Sequence, residues 1–252
     1  AHSIGGKYKN NFLGNLVDLA VFSFHPVKNI TTGEGGMITT NNKELYEKCK
    51  LFRSHGLTRD FTSRENTCSH EYDISCLGYN YRISDILCAL GRSQLKKLPK
   101  FIEKRKLLVN YYNKKIKESE LSNYISPLKQ EYESGNHIYI IKINKEYQNI
   151  IYRDVLYKRL HESNIKVNVH YKPIYLFTLY KNLGYTEGLC PIAEDVYKRI
   201  ITLPLYYELE TNDINIILNK LEIIIKRIIQ TNNLFNRLEN IDKKLFKIMH
   251  NE

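Results

Sequence analysis

Short apolar runs of strand length alternate along this chain with longer stretches whose apolar residues return at helical spacing, and that alternation restricts the fold to an α/β architecture. Leu19-Ala20-Val21-Phe22-Ser23-Phe24 is compact and rich in β-branched and aromatic residues, as a strand requires. The turn Gly33-Glu34-Gly35-Gly36 leads into a second strand at 37–40, which ends at Asn41-Asn42. Residues 43–52 then read as a helix with Leu45, Cys49 and Phe52 on one side, and 54–77 as a polar surface loop. Ser84 is a good N-cap for the next helix, with Asp85 near its positive end. Ile86, Leu87, Leu90, Leu95 and Leu98 suit a buried face of that helix. Pro99 is expected to interrupt it, giving a second helix at about 101–116 with the stripe Phe101, Leu108, Val109 and Tyr112.

The character changes after Pro127. Residues 137–143 and 167–170 read as strands, and 152–163, 193–199 and 213–229 as helices. The implied division is a first domain at 1–114, a small α/β domain at 115–230, and an extra helical tail at 231–252. Leu234, Phe235, Leu238, Ile241, Leu245 and Ile248 make that tail amphipathic.

Bulk properties narrow the function classes. The net charge is +11, but the basic residues are dispersed and form no block of five or six. Such a field argues against nucleic acid as the partner and suits anionic substrates such as nucleotide sugars. Five cysteines (Cys49, Cys68, Cys76, Cys88, Cys190) are scattered, with no CxxC pair and no zinc spacing. Cys68-Ser69-His70 is far short of a metal site, so no metal is expected. No apolar run approaches the roughly 20 residues of a membrane span, and the first residues do not read as a signal peptide. A cytoplasmic location without membrane contact is expected.

The most informative segment is Ser23-Phe24-His25-Pro26-Val27-Lys28-Asn29-Ile30-Thr31-Thr32-Gly33-Glu34-Gly35-Gly36. It sets a lysine just beyond a strand end, in a turn rich in small and hydroxyl residues. Desolvation of an amine in such a turn favours its neutral, nucleophilic form. Ser23 can donate a hydroxyl hydrogen bond to a phosphate, and the glycines let the backbone approach a ligand. Taken alone, these residues describe a carbonyl-handling lysine or a surface lysine before a hairpin turn, and they match no phosphate-binding glycine motif.

Together with several distant motifs, the segment resembles the DegT/DnrJ/EryC1/StrS sugar aminotransferases. Ala1-His2-Ser3-Ile4-Gly5-Gly6, Arg53-Ser54-His55-Gly56, Gly78-Tyr79-Asn80-Tyr81-Arg82-Ile83-Ser84-Asp85-Ile86, Val169-His170-Tyr171-Lys172-Pro173-Ile174 and Leu203-Pro204-Leu205-Tyr206 follow in the family's order, over roughly residues 1–230. The resemblance implies the C-terminal portion of a pyridoxal-phosphate-dependent transferase fold (aspartate aminotransferase-like, fold type I), with part of the large domain and a small α/β domain. It implies that Lys28 condenses with pyridoxal 5'-phosphate and later shuttles a proton. Ser23 would hold the phosphate, and Asn80 would reach the phosphate bound in the neighbouring subunit of a homodimer. His25 and Arg82 would contact the donor carboxylate or the sugar. Asn168, His170 and Tyr171 would line the sugar-nucleotide site.

Residues 51–60 and 167–173 most resemble the branch that aminates C4 of a UDP-linked 4-keto-6-deoxy-N-acetylhexosamine on the route to pseudaminic acid, with glutamate as donor. The family's aspartate for the pyridine nitrogen would fall just before Ala1, so the chain alone is expected not to complete an active site. Residues 1 to about 95 are expected to be poorly packed in isolation. Three alternatives remain open: amination of another nucleotide-linked keto sugar, a non-catalytic remnant serving as an interaction or dimerisation module, and a basic binding protein.

Overall fold

A computed structural model describes residues 1–58, 71–129 and 132–249. The chain forms two compact units, Ala1–Lys104 with Gln130–His137, and Arg105–Lys129 with Ile138–Glu252.

The first unit contains two hairpins. β1 (Lys7–Tyr8) pairs with β2 (Asn11–Phe12), and β3 (Ala20–Ser23) pairs antiparallel with β4 (Gly36–Thr39). The second register places Phe22 opposite Met37 and Ser23 opposite Gly36, so the lysine-bearing loop is the connection between paired strands. Phe22, Phe24 and Ile30 are this unit's buried apolar cluster, backed by Ile4, Ala20, Leu98 and Phe101. α1 (Lys43–Arg53) begins where Asn42 Oδ1 accepts from the backbone N–H groups of Glu44 and Leu45, at 2.8 and 3.2 Å. None of its residues is buried, so the stripe through Leu45, Cys49 and Phe52 covers no core.

α2 (Asp85–Lys117) is one helix of 33 residues. Pro99 lies inside it and does not end it, contrary to the expectation from sequence. A proline removes a single i→i−4 bond, here to Leu95, at a cost of about 3 kcal/mol. Leu98 and Phe101 pack against the core beside it, and Leu108, Val109, Tyr112 and Ile116 are buried further on. The first half of the helix does not present the expected buried face, because Ile86, Leu90 and Leu95 are exposed. Their spacing is helical, but no described element of this unit covers them.

The second unit holds a three-stranded antiparallel sheet in the order β5 (Ile125–Pro127), β6 (Tyr139–Ile143), β7 (Ile200–Leu203). β6 is central, with Ile125 opposite Ile143 on one edge and Tyr139 opposite Leu203 on the other. It alternates buried and half-buried residues, while all four residues of β7 are buried. The short α3 (Leu121–Tyr124) leads into β5. α4 (Arg153–Glu162) buries Leu156 and Leu160, and the small helices α5 (Thr178–Asn182) and α6 (Pro191–Arg199) precede β7. α7 (Thr211–Met249) closes the core through Ile214, Ile217, Leu218, Leu221, Ile224 and Ile225. It runs on past residue 230 without a break, so the tail continues this helix and is not a separate one. No Gly or Pro interrupts 211–249, and the backbone therefore meets no stop signal there.

Buried polar groups in this unit are tied to backbone. The Arg105 guanidinium donates to Leu205 O at 3.1 Å, Tyr112 Oη to Pro204 O at 3.0 Å, and Arg199 Nη1 to Ile143 O at 2.9 Å. Burial pushes the phenols of Tyr112 and Tyr139 well above their ordinary range. Residues 167–170 do not form the expected strand. A single bridge joins Asn168 to Thr202, because Pro173 and the short helical turn Ile174–Leu176 draw the chain away from β7. Among the described residues no helix is long and apolar enough to cross a membrane.

Candidate active site

Backbone and hydroxyl bonds staple the loop between β3 and β4 along its length. Phe24 donates its N–H to Gly35 O at 2.9 Å, and Thr32 donates its N–H to Phe24 O at 3.0 Å. Thr31 Oγ1 donates to Phe24 O at 2.9 Å and accepts from the Gly33 N–H at 2.8 Å. Thr32 Oγ1 donates to Glu34 O at 2.7 Å. Within this frame the Lys28 N–H donates to His25 O at 2.9 Å, forming a turn that leaves Lys28 half-buried. On one side lie the exposed residues His25, Pro26 and Val27, and on the other the buried Asn29 and Ile30.

Asn29 anchors the turn. Its Nδ2 donates to Gly135 O at 2.6 Å across 106 residues of sequence, whereas its buried Oδ1 has no partner among the described residues. A Cβ at Gly135 would stand 2.4 Å from Ile4 O, so only glycine lets that backbone come so near. A Cβ at Gly35 would stand 2.9 Å from Ile83 Cδ1, and one at Gly91 would stand 2.8 Å from Thr32 Cγ2. The loop is therefore seated directly against the start of α2 and the residue preceding its cap.

Ser23 ends β3, with Oγ 3.5 Å from the His25 N–H. The His25 ring accepts from the Val27 N–H through Nδ1 at 3.3 Å, and its Nε2 lies 3.9 Å from Glu34. Both partners of that pair are exposed, so it adds little stability. Ser23, His25 and Lys28 thus share one loop.

Asn80 and Arg82 sit on a backbone platform made by two of the motifs singled out in the sequence. The His55 N–H donates to Tyr79 O at 2.9 Å, the Tyr79 N–H to Phe52 O at 2.7 Å, and the Tyr81 N–H to Arg53 O at 2.9 Å. Ser54 bridges Asn80 directly. Gly56 has φ +70, and a Cβ there would lie 1.9 Å from Cys76 O, while one at Gly78 would lie 2.1 Å from Gly56 N. The side chains of Asn80 and Arg82 are exposed on this platform.

Asn168, His170 and Tyr171 belong to the second unit. Asn168 exchanges both backbone bonds with the buried Thr202, at 3.1 and 2.7 Å, and its Oδ1 accepts from the Val169 N–H. The His170 Nδ1 is 2.8 Å from Thr202 Oγ1, which fixes the ring. The Tyr171 ring stands edge-on to it at 4.5 Å and is largely exposed, with desolvation raising its phenol. Past this point the chain is held by Glu194, whose Oε1 accepts from Tyr175 Oη at 2.6 Å and from the Gly188 N–H at 2.8 Å.

The site residues read from the sequence therefore fall into three local clusters: Ser23, His25 and Lys28; Asn80 and Arg82; Asn168, His170 and Tyr171. Asn29 and Gly135 escaped that reading, because nothing local in the sequence signals a bond across 106 residues. Among the described residues no group of His, Cys, Asp or Glu could hold a metal ion, and Cys68-Ser69-His70 lie outside the described residues.

Residues 1–222 match the model of the DegT/DnrJ/EryC1/StrS aminotransferase family. The UDP-4-amino-4,6-dideoxy-N-acetyl-beta-L-altrosamine transaminase of Campylobacter jejuni (serotype O:23/36) is 39% identical over 228 residues, covering 90% of this chain and 58% of that protein. Among solved structures, Helicobacter pylori PseC, an aminotransferase involved in pseudaminic acid biosynthesis, superposes with a TM-score of 0.80 at 36% identity, covering 90% of this chain and 58% of its own. Spr1654 from Streptococcus pneumoniae, in its PMP form, gives 0.79 at 34% identity, covering 90% of this chain and 58% of its own. The chain thus spans about 58% of the length of these relatives. The α/β fold expected from the sequence is the fold of that portion.

Proposed function

Since this chain belongs to the DegT/DnrJ/EryC1/StrS aminotransferase family, we propose that it serves a pyridoxal-phosphate-dependent transamination of a UDP-linked 4-keto-6-deoxy-N-acetylhexosamine, with glutamate as amino donor. The setting would be cytoplasmic nucleotide-sugar biosynthesis of the pseudaminic acid type. The observation that carries this reading is Lys28 itself, half-buried in a loop fixed at both ends by backbone bonds and from below by Asn29.

The residues present fit the cofactor. An amine, the Ser23 hydroxyl and two threonines share a loop whose glycines leave its backbone open to close approach, and no apolar side chain blocks Gly33. When bound, pyridoxal phosphate supplies an aldehyde that condenses with an amine and a ring that takes up the electron pair left by a departing proton. Lys28 would provide the amine and, once released by substrate, would carry a proton at Nζ between the substrate carbon and the cofactor carbon. Half-burial and the short backbone tether of Lys28 limit the volume its amine can sweep, which is how a fixed turn raises its effective concentration at one carbon.

Ser23 would hold the phosphate at the end of β3 by donating its hydroxyl hydrogen bond, and Asn80, exposed on its platform, would reach the phosphate of a neighbouring subunit in a homodimer. His25 and Arg82 are assigned to the donor carboxylate or the sugar, the latter because an exposed guanidinium offers a two-pronged match to a carboxylate. Asn168, His170 and Tyr171 are assigned to the nucleotide sugar. His170, fixed by Thr202, presents a ring of defined orientation, and the exposed Tyr171 offers an apolar face and a hydroxyl.

The deciding experiment is reductive trapping. The intact, full-length enzyme is incubated with pyridoxal phosphate, treated with borohydride and digested. The phosphopyridoxyl group is expected on the peptide containing Lys28 and is expected to be lost in Lys28→Ala. A label on another lysine, or on none, removes the basis for transamination.

A further inference from the structure

β7 carries one polar residue, Thr202, beside Ile200, Ile201 and Leu203, and all four are buried. Its backbone N–H and C=O are both engaged by Asn168, and across the sheet it faces Ile140 of β6. The strand itself asks for no hydroxyl there, because valine has nearly the same shape and suits a buried strand at least as well. What the hydroxyl meets is His170 Nδ1, at 2.8 Å, and among the described residues Thr202 Oγ1 has no other hydrogen-bond partner.

That contact fixes where the protons lie. In a neutral imidazole, Nδ1 holds either a proton or a lone pair. If it held the proton, Thr202 Oγ1 would accept, and the hydroxyl's own hydrogen would be stranded in buried surroundings without an acceptor. If it holds the lone pair, Thr202 Oγ1 donates to it and no donor is wasted. A spare lone pair on an oxygen is tolerated more readily than an orphaned donor. The bond made at one ring nitrogen sets the other, so the ring proton then sits on Nε2.

We propose that Thr202 is a positioning residue that holds His170 in the tautomer protonated at Nε2, so that the ring meets the nucleotide sugar as a hydrogen-bond donor. The second half rests on the functional reading above, which assigns His170 to that substrate. A donor at Nε2 selects an oxygen lone pair, such as that of a phosphate or a carbonyl, and turns away another N–H. Hydroxyl and ring are held by the same pair of backbone bonds, since Asn168, which pins Thr202, lies two residues before His170. His161 offers an internal reference: its Nε2 lies 3.0 Å from Val167 O, which can only accept, so that ring is protonated at Nε2 as well.

The test uses the intact, full-length enzyme loaded with pyridoxal phosphate and isotope-labelled in its histidine rings. Long-range proton–nitrogen spectra, taken in mildly alkaline solution where an ordinary imidazole is neutral, read which ring nitrogen carries the proton. His170→Gln identifies the signal. A single Nε2-protonated form is expected for His170, as for His161; Thr202→Val should mix the two tautomers, and Thr202→Ser should restore the single form. With UDP-N-acetylglucosamine as the probe, calorimetry should give an affinity roughly three- to tenfold weaker in Thr202→Val and regained in Thr202→Ser. A wild-type ring protonated at Nδ1, or mixed there, would overturn the tautomer. A Thr202→Val affinity within about twofold of the wild type would overturn the role toward the substrate. A wild type that binds no nucleotide sugar would instead remove the functional reading of the site, and the donor role with it. Circular dichroism checks that each variant remains folded.

Discussion

Two glycines of the first unit share a left-handed backbone but differ in what surrounds them, and this difference predicts very different costs for the same substitution. Gly33, in the lysine loop, has φ +79 and nothing within 4 Å of the place its Cβ would occupy. Gly56 has φ +70, and its Cβ would lie 1.9 Å from Cys76 O. Gly33→Ala should therefore carry only the conformational penalty of an L-residue there, roughly 1–2 kcal/mol. Gly56→Ala carries that penalty and must also push two backbone segments apart by about 1.5 Å to restore ordinary contact. Such a shift loosens the bonds from the Gly56 N–H to Leu51 O at 2.8 Å, the His55 N–H to Tyr79 O at 2.9 Å and the Ser75 N–H to Gly56 O at 2.9 Å. At about 1 kcal/mol each, the total reaches roughly 4–5 kcal/mol. Urea denaturation gives the difference between the variants, and amide exchange at His55, Gly56 and Ser75 locates it. Equal costs for the two, or a Gly56→Ala cost below about 2 kcal/mol, would show that the platform yields and does not position Asn80.

Two further outcomes follow from the second unit. Leu156 is fully buried against the sheet, so Leu156→Ala should cost about 2–5 kcal/mol through lost burial and a residual cavity; a change under 1 kcal/mol in urea titration would contradict the packing described. The Tyr175 hydroxyl holds the Glu194 carboxyl below its ordinary range, burial opposes this and the Gly188 N–H adds to it, while burial and then Glu194 push the Tyr175 phenol up to about 12. A depressed carboxyl stabilises the fold above the ordinary value of 4.5 and loses that contribution as pH falls through its lower folded value. The protection factor of the Gly188 amide should consequently drop on acidification below that value, and Glu194→Gln should flatten the dependence.

Much of the fold is legible because periodicity is a local signal. The runs around Ala20–Ser23 and Tyr139–Ile143 are strands for the reason their composition gives, and Asn42 and Ser84 cap helices as their side chains allow. What escaped depends on context. Pro99 was expected to stop a helix, but the packing of its neighbours outweighs one missing bond. Ile86, Leu90 and Leu95 have the spacing of a buried face, yet spacing cannot say whether a covering layer is at hand. Residues 167–170 have strand composition, but the turn after Pro173 limits their pairing to one bridge. In the candidate site, the bare lysine and its glycines are ambiguous, and it is the ordered set of distant motifs that points to an aminotransferase. The platform under Asn80 explains why two of those motifs occur together: each supplies the other's hydrogen bonds.

The tether from Asn29 to Gly135 has a consequence for synthesis. Residues 132–137 belong to the first unit but are made only after α2 and β5. Closing a contact over 106 residues is entropically slow to earn back. On the ribosome the lysine-bearing turn emerges before its anchor, and its buried amide must wait for a carbonyl translated more than a hundred codons later. The loop bearing Lys28 is thus translated well before the residue that fastens it.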